Sequence, residues 1–528
     1  MAMLVLFIAG SMWIGALANR ATRGTGFMQG FFLGNRGLGV WALALTATIQ
    51  SGGTFMGFPS YVYSHGWIVA LWIGSYMVVP ITGFGILGKR LAQLSRRTGA
   101  ITVPDLFRSR FNSPALGIAC TLFILFYLSF LMFAQFKAGA IVLQLAWPSG
   151  TELTPSENAT VVDAFRYHVG LLVFTITVVA YTLLGGFLAA VWTDLFQSLL
   201  MFAGVLVLLF ASLNAAGGLE QATLNSLKNT GPGFVYGPGY AADNTHQFLP
   251  LSLAFSMFVV WIWGGVGAPA GLVRLMASQN TNVIRKSIYV LSLYNLGIYL
   301  PLIVICICGR ALLPNLENPD QIVPRLALLT TANWPGGSII AGLILAAPFG
   351  AVMSTVSSYL VVLSSGAVRD IYQRFLRPNA SRDELRLAAW TAMILAGVVS
   401  VAVMWKPPNY LQVFIVFSTS GAAATFLVPA IMACYWRKAT VHGVFSGMLA
   451  GAATVLTLYL CGILQLQPDQ KIGAISGFRP WFPLGLDPLI WGLLANSFFA
   501  TTVSLCTSPP SPQLVSRLFD RQNEQPIC

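Results

Sequence analysis

Apolar residues run along this chain in long blocks, and polar residues gather between them. Thirteen blocks reach roughly the 18 to 20 residues that an α-helix needs to cross the hydrocarbon core of a bilayer. They fall near residues 2–18, 38–62, 66–92, 115–146, 163–184, 187–214, 249–274, 284–312, 337–366, 386–405, 410–435, 442–464 and 485–507. The pattern predicts an all-α polytopic membrane protein of about 13 transmembrane helices. Composition agrees: 56% of the 528 residues are hydrophobic and 9% charged, against about 25% charged in a soluble domain.

The net charge of +13 would point to nucleic acid in a soluble chain, but in a polytopic one it is read by location. With the N-terminus outside, the inner loops and tail hold 21 Lys and Arg and the outer loops 7, leaving Lys137 alone inside a block. A shift of one helix would scramble that asymmetry. The expectation is a multi-pass protein of the plasma (inner) membrane, N-terminus outside and C-terminus cytoplasmic, whose basic excess is topogenic and needs no nucleic acid.

Six of the seven cysteines lie in apolar blocks and Cys528 ends the chain, so neither a disulfide framework nor a metal-ligand spacing is expected. His65, His168, His246 and His442 are scattered, without the spacing of a zinc site. The first block lacks a basic flank and a small-residue cleavage site and reads as a retained helix.

Two blocks look broken. The second contains IQSGGTFMGFP (Ile49 to Pro59) and the seventh WIWGGVGAPAG (Trp261 to Gly271). Backbone freed by Gly and Pro is tolerable at membrane depth only where protein or a water-filled cavity receives it. The seventh block follows the second by five helices and so enters from the opposite side. Such a pair predicts a five-plus-five inverted repeat of the LeuT type, with substrate and coupling ion at the breaks. The implied organisation is a peripheral first helix and loop (1–37), a first repeat (38–214), an extracellular loop (215–248), a second repeat (249–435), two peripheral helices (436–507) and a cytoplasmic tail (508–528).

The ninth block carries GAVMSTVSSYLVVLSSGAVRDIY, with hydroxyls at positions 354, 355, 357, 358, 364 and 365. Ser and Thr in a membrane helix can bond the carbonyl one turn back, and their oxygens also suit a small hard cation. Ala351, Ser354 and Thr355 are three and four residues apart and share one face. Asp194 is the one carboxylate well inside a block, and an ionisable group there is by default functional. Lys137, in the outer half of the fourth block, can snorkel to the surface or face a cavity and attract a carboxylate.

GGFLAAVWTDLFQ (Gly185 to Gln197) together with LAAPFGAVMSTVSSYLVVLSSGAVRDIY (Leu345 to Tyr372) resembles the two signatures of the sodium/solute symporter family. The likeness runs from about Phe31 to about Lys438. ILGKRLAQLSRRTGAITVPDLF, GRALLPNLENPDQIVP and WKPP make the chain most similar to the family's sodium/pantothenate symporters. The resemblance implies a sodium site formed by the carbonyls of Ala47, Gln50 and Ala351 with the side chains of Ser354 and Thr355. It implies a second sodium site or a gate at Asp194 with Ser357 and Ser358. It places substrate at Ser51, Gly52, Thr54, Trp261, Gly265, Pro269, Ser418 and Ser420; at Lys137 the chain departs from the related pantothenate carriers, which have an apolar residue there and an Arg four residues later, where this chain has Ile141, a change that moves the charge by one turn or changes the substrate. No cofactor besides Na+ is expected.

No metal cluster, nucleophile–His pair or phosphate loop indicates an enzyme, and no repeated carbonyl or charged rings indicate a channel. The tail after the last block, about twenty residues, is short for a transporter-fold sensor with a signalling domain. The expectation is a sodium-coupled secondary transporter of a small organic solute, a monocarboxylate such as pantothenate, with proline or another organic acid as the alternative.

Overall fold

A computed structural model describes residues 2–21, 27–47, 51–147, 157–237, 250–407, 411–464 and 479–520. Among these residues it is helical throughout, with one isolated parallel bridge, Leu38 to Ser278, and no strand. In chain order the helices are α1 (Ala2–Ala21), α2 (Phe27–Leu33), α3 (Val40–Ala47), α4 (Phe58–His65), α5 (Ala70–Val79), α6 (Lys89–Thr98) and α7 (Val103–Phe111). Then come α8 (Pro114–Ala146), α9 (Glu157–Ala216), α10 (Leu219–Thr230), α11 (Gly233–Tyr236), α12 (Leu251–Gly267), α13 (Pro269–Met276) and α14 (Thr281–Leu312). The last are α15 (Ile322–Thr331), α16 (Gly337–Ser365), α17 (Arg382–Met404), α18 (Gln412–Tyr435), α19 (Val441–Leu464), α20 (Pro488–Cys506) and α21 (Pro512–Phe519).

Among the described residues nine helices are long and apolar enough to span a bilayer, or up to eleven if each bent pair counts as one span. The blocks expected at 115–146, 163–184, 187–214, 284–312, 337–366, 386–405, 410–435, 442–464 and 485–507 all appear as such helices. The first block is represented by the shorter apolar stretch Ala2–Leu17. Helix starts follow local chemistry. Ser113 accepts a hydrogen bond from the Leu116 amide ahead of Pro114, and Ser381 and Glu384 form a reciprocal capping box. Each cap satisfies amides that have no partner within the helix.

The break expected in the seventh block is present, while residues 48–50 of the second lie outside the described ones. Ahead of α4 the chain runs through a π-helical segment, Gly53–Gly57, and α12 meets α13 at Ala268, whose extended backbone bends the pair by 42°. α9 is divided at Gly186 (φ 58°, ψ −146°), which separates the fifth and sixth blocks with no loop between them. There a Cβ would come 2.6 Å from the Phe31 ring, and one on Gly34 would come 2.9 Å from the Phe187 ring. The two glycines let α2 and the joint of α9 interlock.

Burial separates centre from periphery. In α16, 83% of the most apolar window is buried and in α18 78%, whereas α17 and α20 reach only 28%. α16 packs on α9 and α8, α18 on α8 and α12, and the α19–α20 pair leans on α18. Where the sequence predicts the cytoplasmic side, α21 is held by cations: Arg97 donates to the Leu518 and Asp520 carbonyls at 2.8 and 3.1 Å, and Arg437 pairs with Asp520 at 3.0 Å.

Candidate functional site

The hydroxyl-rich face of α16 gathers oxygen. Ser354 Oγ and Thr355 Oγ1 donate to the Ala351 carbonyl oxygen at 3.0 and 2.8 Å, and both side chains are buried. Three oxygens from one turn thus converge. All three are uncharged, a donor set that suits a monovalent hard cation better than a divalent one. Ala47 ends α3. Gln50, expected to add a second carbonyl, lies outside the described residues.

The remaining hydroxyls, like those of Ser354 and Thr355, bond backward along the helix. Ser357 and Ser358 donate to the Ser354 carbonyl at 2.9 and 2.8 Å, Ser364 to Val361 and Ser365 to Val362. Most of the polar stripe is therefore ordinary backbone satisfaction.

Ser358 does more. Its Oγ also accepts from Arg274 Nη2 at 2.6 Å, and the same nitrogen lies 2.6 Å from Asp194 Oδ2. The chain Asp194, Arg274, Ser358, Ser354 carbonyl joins the ion pair to the turn that carries Ala351. Asp194 and Arg274 are both buried. Oδ1 of Asp194 and Nε and Nη1 of Arg274 have no hydrogen-bond partner among the described residues. The sequence counted Arg274 among the loop cations; the turn of α13 after the Ala268 break instead carries it inside. The position expected to hold a second sodium between Asp194 and Ser358 is filled here by a guanidinium.

A cavity of about 130 Å3 adjoins this region, lined by Ser51, Trp261, Gly265, Pro269 and Ser418 from the sequence reading. Tyr76, Tyr127 and Tyr359 also line it, and nothing in the sequence singled them out. Tyr76 stacks on Trp261 with ring centroids 5.2 Å apart and on Tyr299 at 4.2 Å. Among the described lining residues none is charged.

Four expected pocket residues do not line this cavity. The Gly52 amide donates to Gln135 Oε1 at 2.7 Å and Thr54 shares a 3.0 Å hydrogen bond with the Tyr299 hydroxyl. Ser420 turns away to donate to Asp487 at 2.9 Å. Lys137 neither snorkels nor reaches the cavity: its ammonium pairs with Asp320 at 3.3 Å, with both side chains buried, and borders a separate cavity. Asp320 was missed because it sits in a loop sequence with no feature marking it as buried.

Comparisons with known proteins bear on this geometry. A family model described as the sodium:solute symporter family matches residues 31–451. The chain is 32% identical over 470 residues to a sodium/pantothenate symporter of Haemophilus influenzae, covering 85% of this chain and 89% of the relative. It is 31% identical over 495 residues to the sodium/pantothenate symporter of Escherichia coli, 92% of each. The high-affinity proline transporter PutP of Bacillus subtilis is 27% identical over 522 residues, 95% of this chain and 98% of the relative. Among solved structures, a Na+-coupled sialic acid symporter in a substrate-bound outward-open state superposes with a TM-score of 0.68 at 18% identity, covering 97% of this chain and 98% of the other. That likeness carries the fold.

Proposed function

The chain belongs to the sodium:solute symporter family, and from that premise we infer that it uses the sodium gradient to import a small organic monocarboxylate such as pantothenate. The observation that carries the reading is the convergence of Ser354 Oγ and Thr355 Oγ1 on the Ala351 carbonyl oxygen within 3.0 Å. Coupled transport requires an ion site next to a solute site, and Tyr359, one turn further along α16, lines the neighbouring cavity. From the other repeat, the carbonyl of Ala47 at the end of α3 is the further ligand in this reading. Sodium then ties the first repeat to α16 and favours the conformers in which these oxygens meet, by as much as its affinity differs between them.

The solute lies in the cavity between the two breaks, where Tyr76, Tyr127 and Trp261 supply apolar walls and Ser51 and Ser418 polar contacts. Asp194 and Arg274 link α9 to α13 on the side predicted to be cytoplasmic and act as an inner gate. Repeats over 38–214 and 249–435, with the N-terminus outside, fit the breaks and the loop charges. Pantothenate is favoured over proline by the higher identity to the pantothenate symporters. The test is uptake of labelled pantothenate, proline and other small acids into proteoliposomes, with and without an inward sodium gradient. Sodium-driven accumulation of pantothenate is expected. Accumulation of proline alone replaces the substrate, and no sodium dependence for any solute ends the reading.

A further inference from the structure

The pair formed by Lys137 and Asp320 stands apart from the cavity between the breaks, at the floor of a wider one of about 560 Å3. Lys137 lines that floor with Asn318 and Pro319. Asp320, fully buried, holds the ammonium through Oδ2 at 3.3 Å, and the same oxygen accepts the Leu411 amide at 3.3 Å. Oδ1 of Asp320 has no hydrogen-bond partner among the described residues.

Two features mark this pair as exchangeable. A tight ammonium–carboxylate bond is about 2.7 to 2.9 Å long, so 3.3 Å is loose. Exchange on the same ammonium never leaves Lys137 without a carboxylate, and Asp320 escapes the cost of about 3 to 5 kcal/mol for an uncompensated buried charge when its turn carries it to water. The cavity's other carboxylates sit at its mouth: Asp163 is 64% exposed beside Arg166 at 3.8 Å, and Glu317 is exposed. Solvent screens both, while Lys137 at the floor is shielded.

We propose that Lys137 is an outer reception site for the carboxylate of the incoming solute, which takes the place of Asp320 on the ammonium. This rests on the reading of the solute as a monocarboxylate. The exchange also has a mechanical effect. The turn Pro319–Gln321 that carries Asp320 packs against the broken segment Gly53–Gly57, so releasing Asp320 loosens the cover over that break. A carboxylate received here is therefore already beside the break that borders the inner cavity.

The test compares pantothenate with its neutral alcohol analogue pantothenol in proteoliposomes containing the full-length chain. Lys137→Met is expected to raise the half-saturating concentration of pantothenate at least tenfold and to leave that of pantothenol within twofold. Asp320→Asn, which removes the competing charge, is expected to lower the pantothenate value or leave it unchanged. Pantothenol uptake serves as the folding control for both variants. Equal impairment of both solutes in Lys137→Met, or an unchanged pantothenate value, overturns the proposal and leaves the pair a structural tie. If the wild type carries pantothenate and the variants fail these expectations, only the reception site falls. A wild type that carries no monocarboxylate overturns both this inference and the substrate reading beneath it.

Discussion

Arg274 and Asp194 face each other at 2.6 Å inside the helix bundle, contributed by helices on either side of the chain's midpoint. Removing one member of such a pair leaves the other charge buried without compensation, at a cost of about 3 to 5 kcal/mol. Asp194→Asn should therefore lower the thermal midpoint of the purified protein, and Asp194→Asn with Arg274→Gln should recover most of it. If the pair is a gate, sodium-driven uptake stays low in the double variant although the fold returns. A double variant with wild-type uptake assigns the pair to structure alone.

Ser354→Ala and Thr355→Ala each delete one of the oxygens that meet at the Ala351 carbonyl, with little change in volume. Sodium activation of uptake should move to roughly tenfold higher concentration in each, equivalent to about 1.4 kcal/mol. Ser364→Ala, whose hydroxyl only bonds back to Val361, should leave the curve in place. Sodium titrations at constant ionic strength, with choline as replacement, measure all three.

Membrane potential tests the stoichiometry. One sodium with one monoanion moves no net charge. If Arg274 leaves Asp194 during the cycle, the freed carboxylate can serve a second sodium, and each turnover then carries one positive charge, worth about 2.3 kcal/mol per 100 mV. Uptake of the monoanion should rise when valinomycin and a potassium gradient set an inside-negative potential, with a sodium-to-solute flux ratio near two. Indifference to potential returns the count to one.

Gly186→Ala should be among the most damaging conservative substitutions. It adds a Cβ 2.6 Å from the Phe31 ring at a backbone conformation suited to glycine. Such strain alone costs on the order of 1 to 3 kcal/mol. Adding Phe31→Ala removes the clash and leaves the strain, so the double variant should regain only part of the lost thermal midpoint.

Hydropathy was enough to mark nine of the thirteen blocks, because a bilayer demands long apolar helices and little else. Gly and Pro marked the break in the seventh block for a similar reason: only these residues strain a membrane helix so openly. The oxygen cluster at Ala351, Ser354 and Thr355 was legible because its members lie within one turn. Contacts made by distant segments were not. Arg274 read as a loop cation since the bend at Ala268, which carries it inward, has no charge signature. Asp320 read as part of a polar loop, and so the partner of Lys137 was missed. Tyr76 and Tyr127 resemble any aromatic in a membrane helix until their neighbours are known. Ser420 was placed in the pocket by the resemblance, but two residues from Ser418 it stands on another face of the helix and donates to Asp487.

The joint at Gly186 is one residue long, and this limits how the protein can be mapped. Reporter fusions, epitope insertions and protease sites all rely on a polar loop exposed between two spans, and here the fifth and sixth spans share none. An insertion at this point would pry α2 from the joint before it could report a side of the membrane. Topology there is better assigned from probes placed before α9 and beyond Ala216, with the side of the joint inferred from the two flanks.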